Sequence, residues 1–382
     1  MAKRLIFQDV TETEPRPTPT GGGMIDAAPK GARRAVRAWL VVIFVMIAAM
    51  IALGGVTRLT DSGLSITEWK LVTGTLPPMN EAAWQAEFET YQQIPQFVQD
   101  NPGMDLAGFK QIYWWEWSHR FLGRLVGLVW AAGFLFFWAS KRIPPGWTPR
   151  LLGLGALGGL QGVVGWWMVR SGVATATLTS VASYRLAVHL GLAFAILGLC
   201  CWYIMQLSRS EADLLHARRA GEPKLFGMTT GLMHLAFVQI LIGALVAGVD
   251  AGRQYTGWPT MGGEWVPVAI WDSALGWRNF FENPALVQFI HRMVGYLLAI
   301  YGVIVWRRAR RSPHLVTRGA YTVMLVAMAL QIVLGILTVI HGAPLALALA
   351  HQAGAILLFV LILRARHHAR YPFETSIRGA VK

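Results

Sequence analysis

The chain has 382 residues, 54% of them hydrophobic and only 14% charged, with 17 Trp and a mean hydropathy of +0.44. A soluble globular domain carries about a quarter charged residues, so the composition excludes that class and points to an integral membrane protein. The net charge of +14 does not make a nucleic-acid binder, because the basic residues gather in short connections between apolar runs, the pattern that orients helices in a bilayer.

Residues 1–36 contain TETEPRPTPTGGG followed by KGARRAVR and read as a disordered cytoplasmic tail. The apolar run after them lacks a small-residue cleavage site, so it is expected to stay as an anchor. At about 20 apolar residues per span, the runs predict eight spans near 38–57, 119–139, 150–169, 186–207, 227–249, 286–306, 319–340 and 344–364. KGARRAVR, SKR, SRSEADLLHARRAGEPK, WRRARR and RARHHAR then all fall on one side. The positive-inside rule makes that side, and both termini, cytoplasmic. Two long Trp-rich loops, 58–118 and 250–285, face the exterior.

In the first loop Trp84, Phe88 and Tyr91 recur at i, i+4 and i+7, one apolar helical face that is expected to lie over the bundle. From Asp105 a single helix is expected to run through Glu116 into the second span, with Trp114, Trp115 and Trp117 as interfacial anchors. Cys200 and Cys201 are adjacent inside an apolar run, which excludes a disulfide framework and reads as two small hydrophobic residues.

The chain repeats itself. EWSHRFLGRLVGLVWAAG aligns with QFIHRMVGYLLAIYGV, and LGGLQGVVGWWMVRSGV with MALQIVLGILTVIHGAP, pairing His119 with His291, Gln161 with Gln331, Arg170 with His341 and His189 with His351. The fold class expected is all-α, with eight transmembrane helices forming two four-helix bundles related by a pseudo-two-fold along the membrane normal. The first half spans 37–208, a cytoplasmic linker 209–226, the second half 227–365 and a cytoplasmic tail 366–382.

Each half has one histidine early in its second span and one early in its fourth, so all four lie toward the external leaflet. Two imidazoles facing across an apolar bundle suit the iron of a membrane haem. Zinc would take four compact ligands instead. Of the remaining histidines, His216, His314, His367 and His368 lie in basic connections and read as solvated surface groups, and His234 lies near the cytoplasmic end of the fifth span. His341 either meets a propionate or caps its turn.

The halves differ at one chemical position: Glu116 is matched by Gln288. A carboxylate one helical turn from an iron ligand can carry a proton, whereas an amide only hydrogen-bonds. The first half is therefore expected to hold the reactive haem, with Glu116, His119 and His189 in catalytic roles, and the second an electron-transfer haem on His291 and His351. Arg120, Arg124 and Arg292, together with Arg58 and Arg170, either pair with haem propionates or anchor helix ends.

GGVTRLTDSGLSITEWKLVTGTLPP, EWSHRFLGRLVGLVW, LQGVVGWWMVRSG, SYRLAVHLGLAF, FIHRMVGY and LALAHQAGAILLF together resemble the haem A synthase family, of the mitochondrial and alphaproteobacterial kind, over residues 38–365. The resemblance implies an oxidoreductase of the bacterial inner membrane that converts the C8 methyl group of haem O to the formyl group of haem A, with haem B as prosthetic group. It implies that His119 and His189 serve the substrate half, that Glu116 is the glutamate needed for activity, and that His291 and His351 hold haem B. Expected partners are a haem O synthase upstream, cytochrome c oxidase assembly downstream, an unidentified electron donor, the lipid bilayer and a second copy of the chain.

One departure is plain: many bacterial members carry a cysteine pair in the first external loop, and here none lies between Arg58 and Glu116. A thiol relay is thus ruled out. Two imidazoles on the substrate iron would block oxygen, so either His119 or His189 is expected to be labile, or the oxidant forms elsewhere; the residues leave the choice open. The rival reading is a di-haem electron carrier of cytochrome b type, which needs the four histidines but not Glu116. A two-repeat transporter is disfavoured because the spans have few polar residues away from their outer ends.

Overall fold

The computed structural model describes residues 30–69, 73–173 and 179–373. The first 29 residues of the expected tail, and residues 374–382 at the other end, lie outside the described residues. The first helix, α1 (Lys30–Leu59), leads into the first loop. There α2 (Glu81–Tyr91), capped by Asn80, and the short α3 (Pro95–Asp100) precede α4 (Leu106–Ala139). The Asp105 carboxylate accepts from Gly108 N–H and starts α4, a single helix of 34 residues that carries Glu116 directly into the apolar run.

Next come α5 (Thr148–Val173) and α6 (Ser183–Leu207). The 209–226 connection is structured: α7 (Glu211–Arg219) begins with a Ser210–Asp213 capping box, and α8 (Pro223–Gly248) starts at a proline whose missing N–H costs nothing in the first turn. The second long loop holds the one-turn helices α9 (Ala251–Gln254) and α10 (Asn279–Glu282). The chain then runs through α11 (Pro284–Ala309), α12 (Leu315–Ile340) and α13 (Leu345–Arg370). Among the described residues, eight helices are long and apolar enough to cross a membrane: α1, α4, α5, α6, α8, α11, α12 and α13.

Helices α1, α4, α5 and α6 pack in succession and close through α1 on α6; α8, α11, α12 and α13 close likewise through α8 on α13. The two rings meet where α6 lies on α8 and α13, and α1 on α13. Helix α1 shows why: Val36, Leu40, Ile43, Ile47 and Ile51 recur at helical spacing and are all buried in the shared core with Phe194, Leu232 and Phe359. Helices α4 and α5 instead leave Leu128, Leu135, Phe136, Trp138, Leu160 and Val163 exposed. So large an apolar exposure suits hydrocarbon rather than water.

At the end that bears the long loops, Trp84, Phe88 and Tyr91 dock α2 onto Phe109 and Tyr113 of α4, with the Trp84 and Tyr113 rings 4.9 Å apart. This apolar cap is the face expected from the i, i+4, i+7 spacing.

The opposite, basic end departs from the reading of RARHHAR as a solvated tail. Helix α13 continues to Arg370, and His367 and His368 are buried, 4% and 7% exposed. The ring of Trp202 lies 5.4 Å from that of His367, and Phe373 lies 5.6 Å from His368. Arg366 meanwhile sits over Trp202 and Phe226. The arginines cover aromatic faces and the imidazoles fill the space between helices, which composition alone does not disclose.

Candidate functional site

The four expected histidines are placed by one repeated helix-hairpin plan. In the first half, His119 of α4 and His189 of α6 face each other with ring centroids 6.5 Å apart and planes at 65°. An iron bound by two imidazoles stands about 2 Å from each nitrogen, which with the ring half-widths gives a centroid separation of about 6 Å. The pair therefore fits the group expected there. In the second half, His291 of α11 and His351 of α13 lie within electrostatic reach of each other. Among the described residues no three or more His, Cys, Asp or Glu side chains come together as a compact metal-ligand group.

Each imidazole lies against a glycine on the preceding long helix. A Cβ on Gly165, Gly243 or Gly335 would stand 3.0, 3.1 or 2.9 Å from Cε1 of His189, His291 or His351. A Cβ on Gly54 would stand 3.1 Å from His119 Nε2. Four residues before three of these glycines stands a glutamine that reaches the same histidine. Gln161 Nε2 donates to the His189 carbonyl at 3.0 Å, Gln239 Nε2 to that of His291 at 2.9 Å, and Gln331 Nε2 to that of His351 at 2.8 Å. These braces were missed at the sequence level, although QGVVG, QILIG and QIVLG are visible there as a recurring pattern.

Glu116 is 3% exposed, and its oxygens hold the first loop in place. Oε2 accepts from the Ser65 hydroxyl at 2.8 Å and the Ile66 N–H at 2.7 Å. Oε1 accepts from Arg120 Nε at 3.0 Å and Nη2 at 2.6 Å. Arg120 also donates to the carbonyls of Ile66 and Glu68, at 2.6 and 3.0 Å. A two-point carboxylate–guanidinium pair of this kind fixes geometry as well as charge, so residues 65–68 are clamped over the first turns of α4. The second half builds the counterpart without a carboxylate. Gln288 Nε2 donates to the Tyr255 carbonyl at 3.0 Å, and Arg292 donates to the carbonyls of Gly257 and Thr260 at 2.8 and 3.1 Å.

The remaining arginines separate into two groups. Two cavities flank the clamped segment and share Glu68 and Arg120. One of about 290 Å³ is also lined by Tyr113 and Arg124, and the other, of about 330 Å³, by Trp69, Trp166 and Arg170. Arg58 is placed elsewhere: it pairs with Asp61 and Asp250, each at 2.7 Å, and so ties the end of α1 to the start of the second long loop. His341 Nδ1 bonds to the Leu337 carbonyl of its own helix at 2.8 Å, the capping alternative of the two open for it. Cys200 and Cys201 are free and buried in the shared core.

The two histidine pairs are linked through α1. Gln352, the residue after His351, donates from Nε2 to the Ile51 carbonyl of α1 at 2.7 Å, and its amide lies so close to Gly55 that a Cβ there has no room. Gly54, the residue before Gly55 on α1, faces His119. No sequence signal marked Gln352.

Comparison with known proteins agrees with this arrangement. A family model, COX15-CtaA, described as a cytochrome oxidase assembly protein, matches residues 37–363. The heme A synthase of Paracoccus denitrificans (strain Pd 1222) is 74% identical over 382 residues, covering 100% of both chains. That of Ruegeria sp. (strain TM1040) is 58% identical over 381 residues, covering 99% of this chain and 100% of the relative. That of Cereibacter sphaeroides (strain ATCC 17029 / ATH 2.4.9) is 54% identical over 385 residues, covering 98% of each. With two imidazole pairs on a duplicated eight-span frame and a family match that runs through all eight helices, the chain belongs to the COX15-CtaA family of cytochrome oxidase assembly proteins.

Proposed function

We propose that the chain is a haem A synthase, which oxidises the C8 methyl group of haem O to a formyl group and so supplies haem A for assembly of a terminal oxidase. The observation that carries this reading is the inequality of two otherwise matching imidazole pairs. Only the pair of His119 and His189 has a buried carboxylate one turn away, Glu116, where the other has Gln288. Full-length identity to heme A synthases supports it.

In this reading His291 and His351 hold haem B, braced by Gln239 and Gln331. The bound haem B supplies single-electron transfer. His119 and His189 hold the substrate, haem O. The Glu116–Arg120 clamp keeps the 65–68 segment closed over the site. Ser65 Oγ donates to Glu116 Oε2 and so orients the carboxylate that is to carry a proton in turnover. Arg120, Arg124 and Arg170 line the cavities beside this segment and are placed for propionates, as Arg292 is in the second half, whereas the ion pairs of Arg58 make it a tie between the halves.

The protein sits as a multi-pass protein in the bacterial inner membrane, with its basic end cytoplasmic and its histidine pairs toward the exterior. A haem O synthase hands over the substrate, cytochrome c oxidase receives the product, and the electron donor is external to the chain.

The test is extraction and mass analysis of haems from membranes of a host that makes haem O and lacks haem A, with and without the chain. Formyl haem present only with the chain is the expected result. Haem B alone beside plentiful haem O would overturn it in favour of a cytochrome b-type electron carrier.

A further inference from the structure

The four hairpins follow one plan with one exception. On the first helix of each, a five-residue stretch faces the histidine of the second: QGVVG (161–165) faces His189, QILIG (239–243) faces His291, QIVLG (331–335) faces His351, and MIALG (50–54) faces His119. In the first three, the glutamine amide donates to the backbone carbonyl of the histidine. It also lies 3.1 to 3.3 Å from a nitrogen of the imidazole. The backbone that carries each imidazole is thus pinned to the neighbouring helix, with the amide packed beside the ring.

In the fourth the place of the glutamine is taken by Met50. The positions correspond in space as well as in sequence. Gly123 and Gly295 each stand four residues after their histidine. A Cβ on Gly123 would meet Met50 Cε at 3.6 Å, and a Cβ on Gly295 would meet Gln239 Nε2 at 3.2 Å. A thioether has no hydrogen to donate, and its unbranched chain yields easily to a neighbour. The His119 ring also sits differently: it turns its Nε2–Cδ2 edge to its glycine, whereas His189, His291 and His351 turn the Cε1–Nδ1 edge.

We propose that Met50 is a positioning residue that leaves His119 as the one unbraced imidazole of the four, so that His119 is the ligand that gives way to a small neutral molecule while His189, His291 and His351 stay in place. This rests on the reading of two imidazole-held porphyrins, and it settles which side of the substrate opens. The opening side is the side of α4, which also carries Glu116 and Arg120.

The test uses the full-length, haem-loaded protein, reduced with dithionite, with carbon monoxide as the probe and haem stoichiometry measured first. The wild-type chain is expected to bind carbon monoxide at one of its two haems. Met50→Gln, which restores the brace, is expected to weaken that binding at least about tenfold with both haems retained. Met50→Leu, which has no donor, is expected to bind as the wild type does. Gln239→Met is expected to create carbon monoxide binding in the second half.

Unchanged binding in Met50→Gln with both haems present would overturn the proposal, as would loss of binding in Met50→Leu or no binding at all by the wild type. A protein that lacks two haems fails at the stoichiometry step, before carbon monoxide is added, and that result removes the underlying reading together with the proposal.

Discussion

The two halves use the same frame with unlike side chains at two places. Each sets two imidazoles on its second and fourth long helices, places a glycine opposite each ring, and uses the arginine directly after the first histidine to hold the adjoining loop. The second half has no carboxylate at these places: Gln239, Gln288 and Gln331 donate amides, and Arg292 meets only backbone carbonyls among its hydrogen-bond partners. The first half replaces two of these amides, one with a carboxylate at Glu116 and one with a thioether at Met50. A fixed, braced site without a carboxylate is suited to passing electrons without rearrangement. A site with a buried carboxylate and one loose ligand is suited to moving protons and admitting a reactant.

Removing a ligand breaks the comparison most completely. His351→Ala or His291→Ala is expected to strip nearly all haem from the second half, measured as haem per protein after purification, and to abolish turnover. Glu116→Gln makes the first half resemble the second. Haem content is expected to stay near the wild-type value while turnover falls by about 10²–10⁴-fold, the range of a lost proton-transfer group; full turnover in this variant would reduce Glu116 to a loop clamp.

Loss of a brace should act on one half only. Gln331→Ala is expected to weaken haem retention in the second half by about 10–100-fold, the usual cost of removing a group that orients a ligand, and a haem titration reads it directly. At the seam between the halves, Gly55→Ala forces Gln352 off the Ile51 carbonyl. A loss of about 1–3 kcal/mol is expected from overpacking, seen in thermal unfolding in detergent. Gly55→Ala with Gln352→Ala should recover much of it, because the second change vacates the crowded space.

The smallest effect is expected at the ion pairs of Arg58. Asp250→Asn removes one partner of Arg58 and Arg253 in a network whose carboxylates are well exposed. A change of about 0–1 kcal/mol is expected, shrinking further in salt.

Much of this plan was open to reading from the chain alone, for identifiable reasons. The eight spans are a local property, since each is long and apolar enough to be recognised without knowledge of its neighbours. The four histidines stand out because the chain repeats itself and carries them at matching places, and Glu116 because its counterpart is an amide. The docking face of α2 and the uninterrupted α4 follow from spacing and from the Asp105 cap.

What only the tertiary structure decided is which distant groups meet. Ser65 lies 51 residues from Glu116, and Gln352 lies 301 residues from Ile51. Neither contact has a local periodicity to announce it, because a side-chain hydrogen bond depends on how two helices are turned toward each other. Composition likewise placed His367 and His368 in water, yet α13 carries both into the packed basic end, where arginines can cover aromatic rings and leave the imidazoles inside. Sequence determined the helices and the chemically able residues. The packing of α1 between the halves determined their partners, since the Gly54–Gly55 step permits the backbone to approach both His119 and Gln352 at van der Waals range.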